Sequence, residues 1–193
     1  MFQDPFAQVS GIKETVFEEI GMGLENLGVE TEEMIQRILE ISKMVNVESL
    51  LQKNPLALSG GQCQRVAFAS VLALNSDIIV IDEPTSQLDP SSTNDVFEII
   101  SALKNQGKTV IIAEHKIDLL AEYCDEIIVM AEGRIIAQGD TREVLANPIL
   151  REKGVRIPQT VSLAINMEKE GIPLRNIPIN KKEAIELLKE REV

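Results

Sequence analysis

Apolar residues recur at two different periods along the chain, and the change of period divides it. Over residues 11–53 the period is helical. Thr15-Val16-Phe17-Glu18-Glu19-Ile20 starts with a capping threonine and continues with apolar positions at helical spacing. Thr31-Glu32-Glu33-Met34 opens a second helix, with Ile35, Ile38, Leu39 and Ile41 on one face. A short third helix is predicted over 47–51, and Pro55 ends it. From residue 77 onward, short β-branched runs alternate with helical segments. Asp77-Ile78-Ile79-Val80-Ile81-Asp82 and Thr109-Val110-Ile111-Ile112-Ala113 read as buried parallel strands. The helix between them, 92–104, places Val96, Ile99, Ile100 and Leu103 on its buried face. A helix over 117–123 follows, then a strand over 126–130 that pairs with 134–137 across Glu132-Gly133. This rhythm predicts an α/β fold with a parallel sheet covered by helices. A short helix over 141–146 is expected to take Thr141 as its cap and Glu143 in its first turn. Residues 160–170 are helical, Gly171-Ile172-Pro173 turns, and 180–190 form a charged amphipathic helix.

The length suits one substantial domain with a small appendage. Lys and Arg total 19 against 31 Asp and Glu, a formal charge of −12, which argues against nucleic acid as a partner. Two distant cysteines, Cys63 and Cys124, make neither a disulfide framework nor a metal-ligand spacing. No apolar run approaches the roughly 20 residues that span a bilayer, and the first residues lack the basic start and apolar stretch of a signal peptide. Any membrane role is therefore expected to be peripheral.

Three local patterns carry chemistry. In Leu58-Ser59-Gly60-Gly61-Gln62, two glycines after a serine expose backbone N–H groups at a helix start, where partial positive charge suits a phosphate. Alone, this could be a plain Gly-rich turn. Next, Asp82-Glu83 follows four β-branched residues and precedes Pro84-Thr85. The carboxyl end of a strand in an open α/β sheet is where ligands bind. Asp82 suits Mg2+, a hard ion that takes oxygen ligands, and Glu83 suits a water to be aimed at a phosphoryl group. Finally His115, the sole histidine, follows the second strand and is expected at the same sheet edge. An imidazole there can donate to a terminal phosphate or hold the attacking water.

Taken in order, these patterns resemble the nucleotide-binding subunits of ABC transporters, over roughly the first 140 residues. In that resemblance Phe2-Gln3-Asp4-Pro5 is the glutamine loop, Leu58 to Gln62 the signature, Asp82-Glu83 the end of the Walker B strand, Ser86-Gln87-Leu88-Asp89 the D-loop and His115 the switch histidine. It implies a P-loop NTPase core of ABC type. The glutamine loop would take 1–9, an inserted helical subdomain 10–58, the rest of the core 59–147 and a small C-terminal extension 148–193. It also implies that Gln3 contacts Mg2+ or the attacking water. Ser59, Gly60, Gly61 and Gln62 would grip ATP held by the opposite subunit of a dimer. Asp89 would help join the two sites, and Glu83 would be the base or water positioner. Gln8, Glu19, Gly23-Leu24-Glu25-Asn26-Leu27-Gly28 and, in the tail, Gly154, Pro158-Gln159 and Gly171-Ile172 resemble the energy-coupling factor branch. That branch imports vitamins and metal ions. It implies a cytoplasmic subunit on the inner membrane face, a second ATPase subunit (homo- or heterodimer), a transmembrane coupling subunit and a separate substrate-binding membrane protein.

The family's Walker A motif, Gly-x-x-x-x-Gly-Lys-Ser/Thr, does not occur. The one Gly-Lys pair, Gly107-Lys108, is followed by Thr109 but has no glycine five residues before it. The resemblance then implies missing first strands and an internal Met1: a truncated product, a cloned fragment or a mis-called start. The expectations are weak ATP binding, negligible hydrolysis by the chain alone, and incomplete cover over Ile79, Ile81 and Ile111. Two other readings exist, a degenerate docking or regulatory subunit and an ABC-type ATPase of DNA maintenance. Against the latter, only 55 residues without sustained heptads separate Gln3 from Ser59.

Overall fold

In the computed structural model, residues 1–190 are described. The chain divides into two units, Met1–Glu114 and His115–Val193. The first begins with a one-turn helix, α1 (Pro5–Gln8), whose first turn is capped by the Asp4 carboxylate accepting from the Phe6 N–H. The next helix, α2 (Val16–Asn26), starts at a full capping box. The Thr15 hydroxyl accepts from the Glu18 N–H, and the Glu18 carboxylate accepts from the Thr15 N–H. The third, α3 (Thr31–Met44), buries Ile38 completely but leaves Ile35 and Leu39 about two-fifths exposed. Its apolar stripe is thus narrower than the sequence predicts. The expected helix at 47–51 is a single 3-10 turn, Glu48–Leu50, too short to close an i to i+4 bond before Pro55.

The fourth helix, α4 (Gly60–Ala73), is buried nearly all round, with Val66, Ala67, Phe68, Ala69 and Leu72 each at most 5% exposed. It packs on α1, α2 and α3. Two parallel strands follow, β1 (Ile78–Asp82) and β2 (Thr109–Ala113), joined through α5 (Pro90–Asn105). Their register pairs Val80 with Ile111 and Asp82 with Ala113. On α5, Val96, Ile99, Ile100 and Leu103 are buried as predicted. The strands, however, are covered on one face only. Ile79 and Ile81 are 3% and 1% exposed, against the expectation that they lose cover, whereas Ile78, Val80 and Ile111 are more than half exposed. Alternation along a strand sends every second side chain to the opposite face, which is the more exposed one. A second edge contact comes from the chain start: the Met1 amine donates to the Val80 carbonyl, and the Asp82 N–H donates to the Met1 carbonyl.

The second unit runs α6 (Ile117–Tyr123), β3 (Glu126–Ala131), β4 (Arg134–Asp140), α7 (Thr141–Leu145), α8 (Ile149–Glu152), α9 (Gln159–Lys169) and α10 (Lys181–Lys189). Strands β3 and β4 form an antiparallel hairpin with a register shift between Val129 and Met130. Leu145, Leu150, Val161 and Ile179 lie at the centre of its core. The cap of α7 is Asp140, not Thr141. The Asp140 carboxylate accepts from the Arg142 and Glu143 N–H groups, while the Thr141 hydroxyl donates to the Cys124 carbonyl at 2.8 Å. A carboxylate one residue earlier reaches the free N–H groups better, which releases the threonine for the chain behind it.

The last helix is tied back by Glu183. Its carboxylate accepts from the Ile179 N–H, the Asn180 side chain and Arg142, the last at 2.5 Å. Burial pulls this carboxyl upward, but those bonds outweigh it and hold the group below the ordinary glutamate range. A depressed carboxylate stabilises the fold at neutral pH and loses that contribution as pH falls through its folded value. Glu183→Gln is therefore expected to lower the amide-exchange protection factors of α10 at neutral pH, and acidification is expected to lower those of the unmodified chain. Equal exchange in both proteins at all pH values would refute the tether.

Candidate functional site

The end of β1 holds the two carboxylates singled out by the sequence. Asp82 ends the strand opposite Ala113 and is exposed. Glu83 then leaves the strand at φ 43°, in the left-handed region that a residue with a Cβ rarely adopts. That geometry costs about 1–2 kcal/mol, so its surroundings must hold it. They do so from three sides. The Glu83 N–H donates to the Ala113 carbonyl of β2 at 2.9 Å. The Glu83 carbonyl accepts from the Ser86 N–H at 3.2 Å and from the Gln64 side-chain amide at 3.5 Å. The Glu83 carboxylate accepts from the Gln3 side-chain amide at 2.7 Å, joining residues 80 positions apart. Behind this turn, Thr85 is buried and its hydroxyl donates to the Glu114 carboxylate at 3.0 Å.

Ser59 caps α4 by a capping box. Its hydroxyl accepts from the Gln62 N–H, and its own N–H donates to the Gln62 side-chain oxygen at 3.2 Å. Gln62 is thereby turned back on the helix start. Gly60 and Gly61 are half-buried against the segment after β1. A Cβ on Gly61 would lie 3.3 Å from the Gln87 carbonyl oxygen, and one on Gly60 would lie 3.3 Å from the Gln87 side-chain oxygen. At Gly61 the crowding is with backbone, which favours glycine where the α4 start approaches the Gln87-Leu88 segment, whereas at Gly60 it is with the end of a side chain. Asp89 ends that segment as the cap of α5. It accepts from the Ser91 and Ser92 N–H groups and from the Ser92 hydroxyl. The Ser92 N–H and hydroxyl bonds hold the Asp89 carboxyl below the ordinary aspartate range.

The first unit thus brings together Gln3 with Glu83, and Gly60 and Gly61 with the residues leading to Asp89. His115 opens the second unit, where it is exposed. The sequence reading did not single out Gln64 for a role. It is 1% exposed and its side-chain oxygen has no hydrogen-bond partner. A polar residue three places after Gly61, in a helix otherwise buried nearly all round, was the available signal. Among the described residues, no three His, Cys, Asp or Glu side chains gather as a metal-binding group. Asp82 and the side-chain oxygen of Gln3 fit a hard ion that fills its remaining coordination from water and phosphate, as Mg2+ does, rather than an all-protein cage.

A family model described as ABC transporter matches residues 2–86. The chain is 36% identical over 190 residues to an energy-coupling factor transporter ATP-binding protein of Streptococcus thermophilus, covering 97% of this chain and 67% of that protein. The same kind of protein from Carboxydothermus hydrogenoformans is 35% identical over 189 residues, covering 98% of this chain and 68% of the relative. The chain belongs to the ATP-binding proteins of ABC transporters. A putative ABC transporter ATP-binding protein of Pyrococcus horikoshii is 39% identical, and the chain spans 66% of its length. The chain thus covers about two thirds of the curated relatives it matches.

Among solved structures, cbiO1 of Clostridium perfringens, part of the ABC transporter complex cbiONQ, superposes with a TM-score of 0.66 at 35% identity. That match covers 86% of this chain and 65% of the other. A dimeric ATP-binding cassette in a post-hydrolysis state bound to ADP and phosphate matches with a TM-score of 0.66 at 30% identity, covering 73% of this chain and 61% of the other. The ABC ATPase fold, with its parallel sheet, is therefore that of the chain.

Two outcomes test the local geometry. Gln64→Leu removes a donor to the Glu83 carbonyl but also removes a buried acceptor with no partner, a cost of about 1–3 kcal/mol. The melting temperature is expected to hold or rise, while the Glu83 amide exchanges faster; a large drop in melting temperature would contradict this. Burial first, and then the charges of Asp4 and Glu19, push the Cys63 thiol up to about 11. Alkylation of Cys63 in the folded chain is expected to stay slow through pH 9, and rapid labelling at pH 8 would contradict it.

Proposed function

We propose that the chain is the ATP-hydrolysing part of an energy-coupling factor-type importer for a vitamin or metal ion. The observation that carries this reading is the 2.7 Å bond from Gln3 to Glu83 at the carboxyl end of β1, where an attacking water would have to sit. Glu83 orients that water and takes its proton as the oxygen bonds to the outermost phosphorus of ATP, with ADP as the leaving group. Gln3 holds the carboxylate in place and links the site to the surface that faces the membrane subunits. Asp82, with Gln3, would hold Mg2+, which supplies charge neutralisation at the phosphates when bound. His115 donates to the outermost phosphate.

The signature residues serve a second site. Ser59, Gly60, Gly61 and Gln62 present the α4 N-terminus to ATP held by the opposite subunit of a dimer, and Asp89 lies where the two sites join. The functional parts are residues 1–9 as glutamine loop, 10–58 as helical subdomain, 59–147 as the core's remainder and 148–193 as C-terminal extension. The partners are a second ATP-binding subunit, a transmembrane coupling subunit and a substrate-binding membrane protein. Among the described residues, no helix is long and apolar enough to cross a membrane, which is compatible with a peripheral place on the inner membrane face.

The 193 residues contain no Gly-x-x-x-x-Gly-Lys-Ser/Thr, so the backbone cradle and lysine for the β- and γ-phosphates must come from elsewhere. Alone, the chain is expected to bind Mg-ATP weakly and hydrolyse it negligibly. Paired with a complete ATP-binding subunit and its transmembrane partner, it is expected to complete, through Ser59 to Gln62, the one composite site whose ATP the partner holds, while the site at Asp82 and Glu83 stays inactive unless a phosphate cradle is supplied to it. Ser59→Arg should then lower ATPase activity about a hundredfold, in line with the loss of a phosphate-directed donor set. Tight Mg-ATP binding by the 193 residues alone, or an assembled complex indifferent to Ser59→Arg, would overturn the reading.

A further inference from the structure

Among the described residues, the charged side chain that is buried is Glu19 on α2, 3% exposed. It has no part in the ATP chemistry above, and it makes no ion pair with a described residue. Both of its oxygens go to one residue instead. One accepts from the Ser10 N–H at 2.6 Å and the other from the Ser10 hydroxyl at 2.8 Å. Burying a carboxylate is costly unless charge-assisted bonds of this kind offset it, and an apolar side chain would pack there at lower cost. What the charge adds is a hold on Ser10.

Ser10 is joined to Gln3 by a short run that is bonded to itself. The Asp4 carbonyl accepts from the Ala7 N–H and the Pro5 carbonyl from the Val9 N–H, each at 3.1 Å. The Asp4 carboxylate accepts from the Phe6 N–H at 3.0 Å, and the Gln8 side-chain oxygen accepts from the Phe2 N–H at 3.3 Å. Helix α1, inside this run, packs on α4, and so does α2. Beyond Ser10, Gly11 turns the chain at φ 66°, and the Ile12 N–H donates to the Ser10 hydroxyl at 3.2 Å. Residues 2–10 are thus a compact link, with Glu19 at one end and the bond from Gln3 to Glu83 at the other.

From this link we infer that Glu19 is a positioning residue for Gln3: by fixing Ser10, it sets where the Gln3 amide meets the Glu83 carboxylate. The role rests on the reading of Glu83 as the residue that orients the attacking water. Helix α2 is thereby coupled to Glu83 through named hydrogen bonds as well as through packing on α4. Loss of the Glu19 contacts frees the Ser10 end of the link, and the Gln3 amide then spends less time on the carboxylate.

The test uses the whole 193-residue chain and the nuclear magnetic resonance signals of the Gln3 side-chain amide. Ser10→Ala removes the hydroxyl bond. Glu19→Leu removes both bonds and keeps a side chain of similar size on α2. Both variants are expected to shift the Gln3 signals toward free-amide positions, Glu19→Leu the further. Ser10→Thr keeps a hydroxyl and is expected to leave the signals in place. Lys13→Ala breaks the ion pair with Glu25 on the same helix and is also expected to leave them in place. If Glu19→Leu does not fold, the contrast between Ser10→Ala and Ser10→Thr decides. Unmoved signals in folded Glu19→Leu, equal signals in Ser10→Ala and Ser10→Thr, or a shift in Lys13→Ala as large as in Glu19→Leu would overturn the role. Those results leave the contact between Gln3 and Glu83 standing. Gln3 signals at free-amide positions in the unmodified chain would remove that contact, and with it both the role of Glu19 and the reading of the site.

Discussion

Glu83 has to stand at the end of β1 with its backbone turned to the left-handed side, and a glutamate does not do this unaided. Four contacts oppose the strain: the Ala113 carbonyl from β2, the Ser86 N–H from the following turn, the Gln64 amide from α4 and the Gln3 amide from the start of the chain. They come from separate stretches of sequence, so strand pairing, α4 and the start of the chain all bear on this one residue. Strain held in this way is typical of a position whose carboxylate must point outward in one direction.

The rest of the unit serves the same constraint. Helix α4, buried on nearly every side and packed on α1, α2 and α3, places Gln64 against the Glu83 carbonyl and brings Gly60 and Gly61 against Gln87. The buried carboxylate of Glu19 accepts from the N–H and hydroxyl of Ser10 at 2.6 and 2.8 Å, tying the segment after α1 to α2. That bond limits how far the Gln3 end can drift. The same first unit leaves Ile78, Val80 and Ile111 exposed on the other sheet face, in a chain that spans about two thirds of its relatives.

Much of this architecture was legible from periodicity. The helices 16–26 and 90–105 and the parallel pair 78–82 and 109–113 follow from apolar spacing, and α5 buries the four residues that its pattern predicts. The failures have physical causes. Strand patterns count apolar residues but not which face a layer covers, so the cover expected to be lost over Ile79, Ile81 and Ile111 is kept over the first two and lost over Ile78, Val80 and Ile111. A threonine at 141 reads as a cap, but Asp140 reaches the same N–H groups and a carboxylate competes better for them. At the site, the motif positions were visible as short signatures, whereas the roles given to them are proposals. The partner of Gln64 and the backbone sign of Glu83 were not visible. Both depend on contacts between segments about 20 to 80 residues apart, which no local pattern encodes.

The bond from Gln3 to Glu83 is the contact on which the account turns, and nuclear magnetic resonance can observe it directly. In the folded chain, the Gln3 side-chain amide protons should lie away from their free-amide positions and move when the carboxylate is protonated by acid. In Glu83→Gln they should return toward free-amide positions and lose that acid-dependent movement. Gln3 amide signals at free-amide positions in the unmodified chain, indifferent both to acid and to Glu83→Gln, would contradict the account.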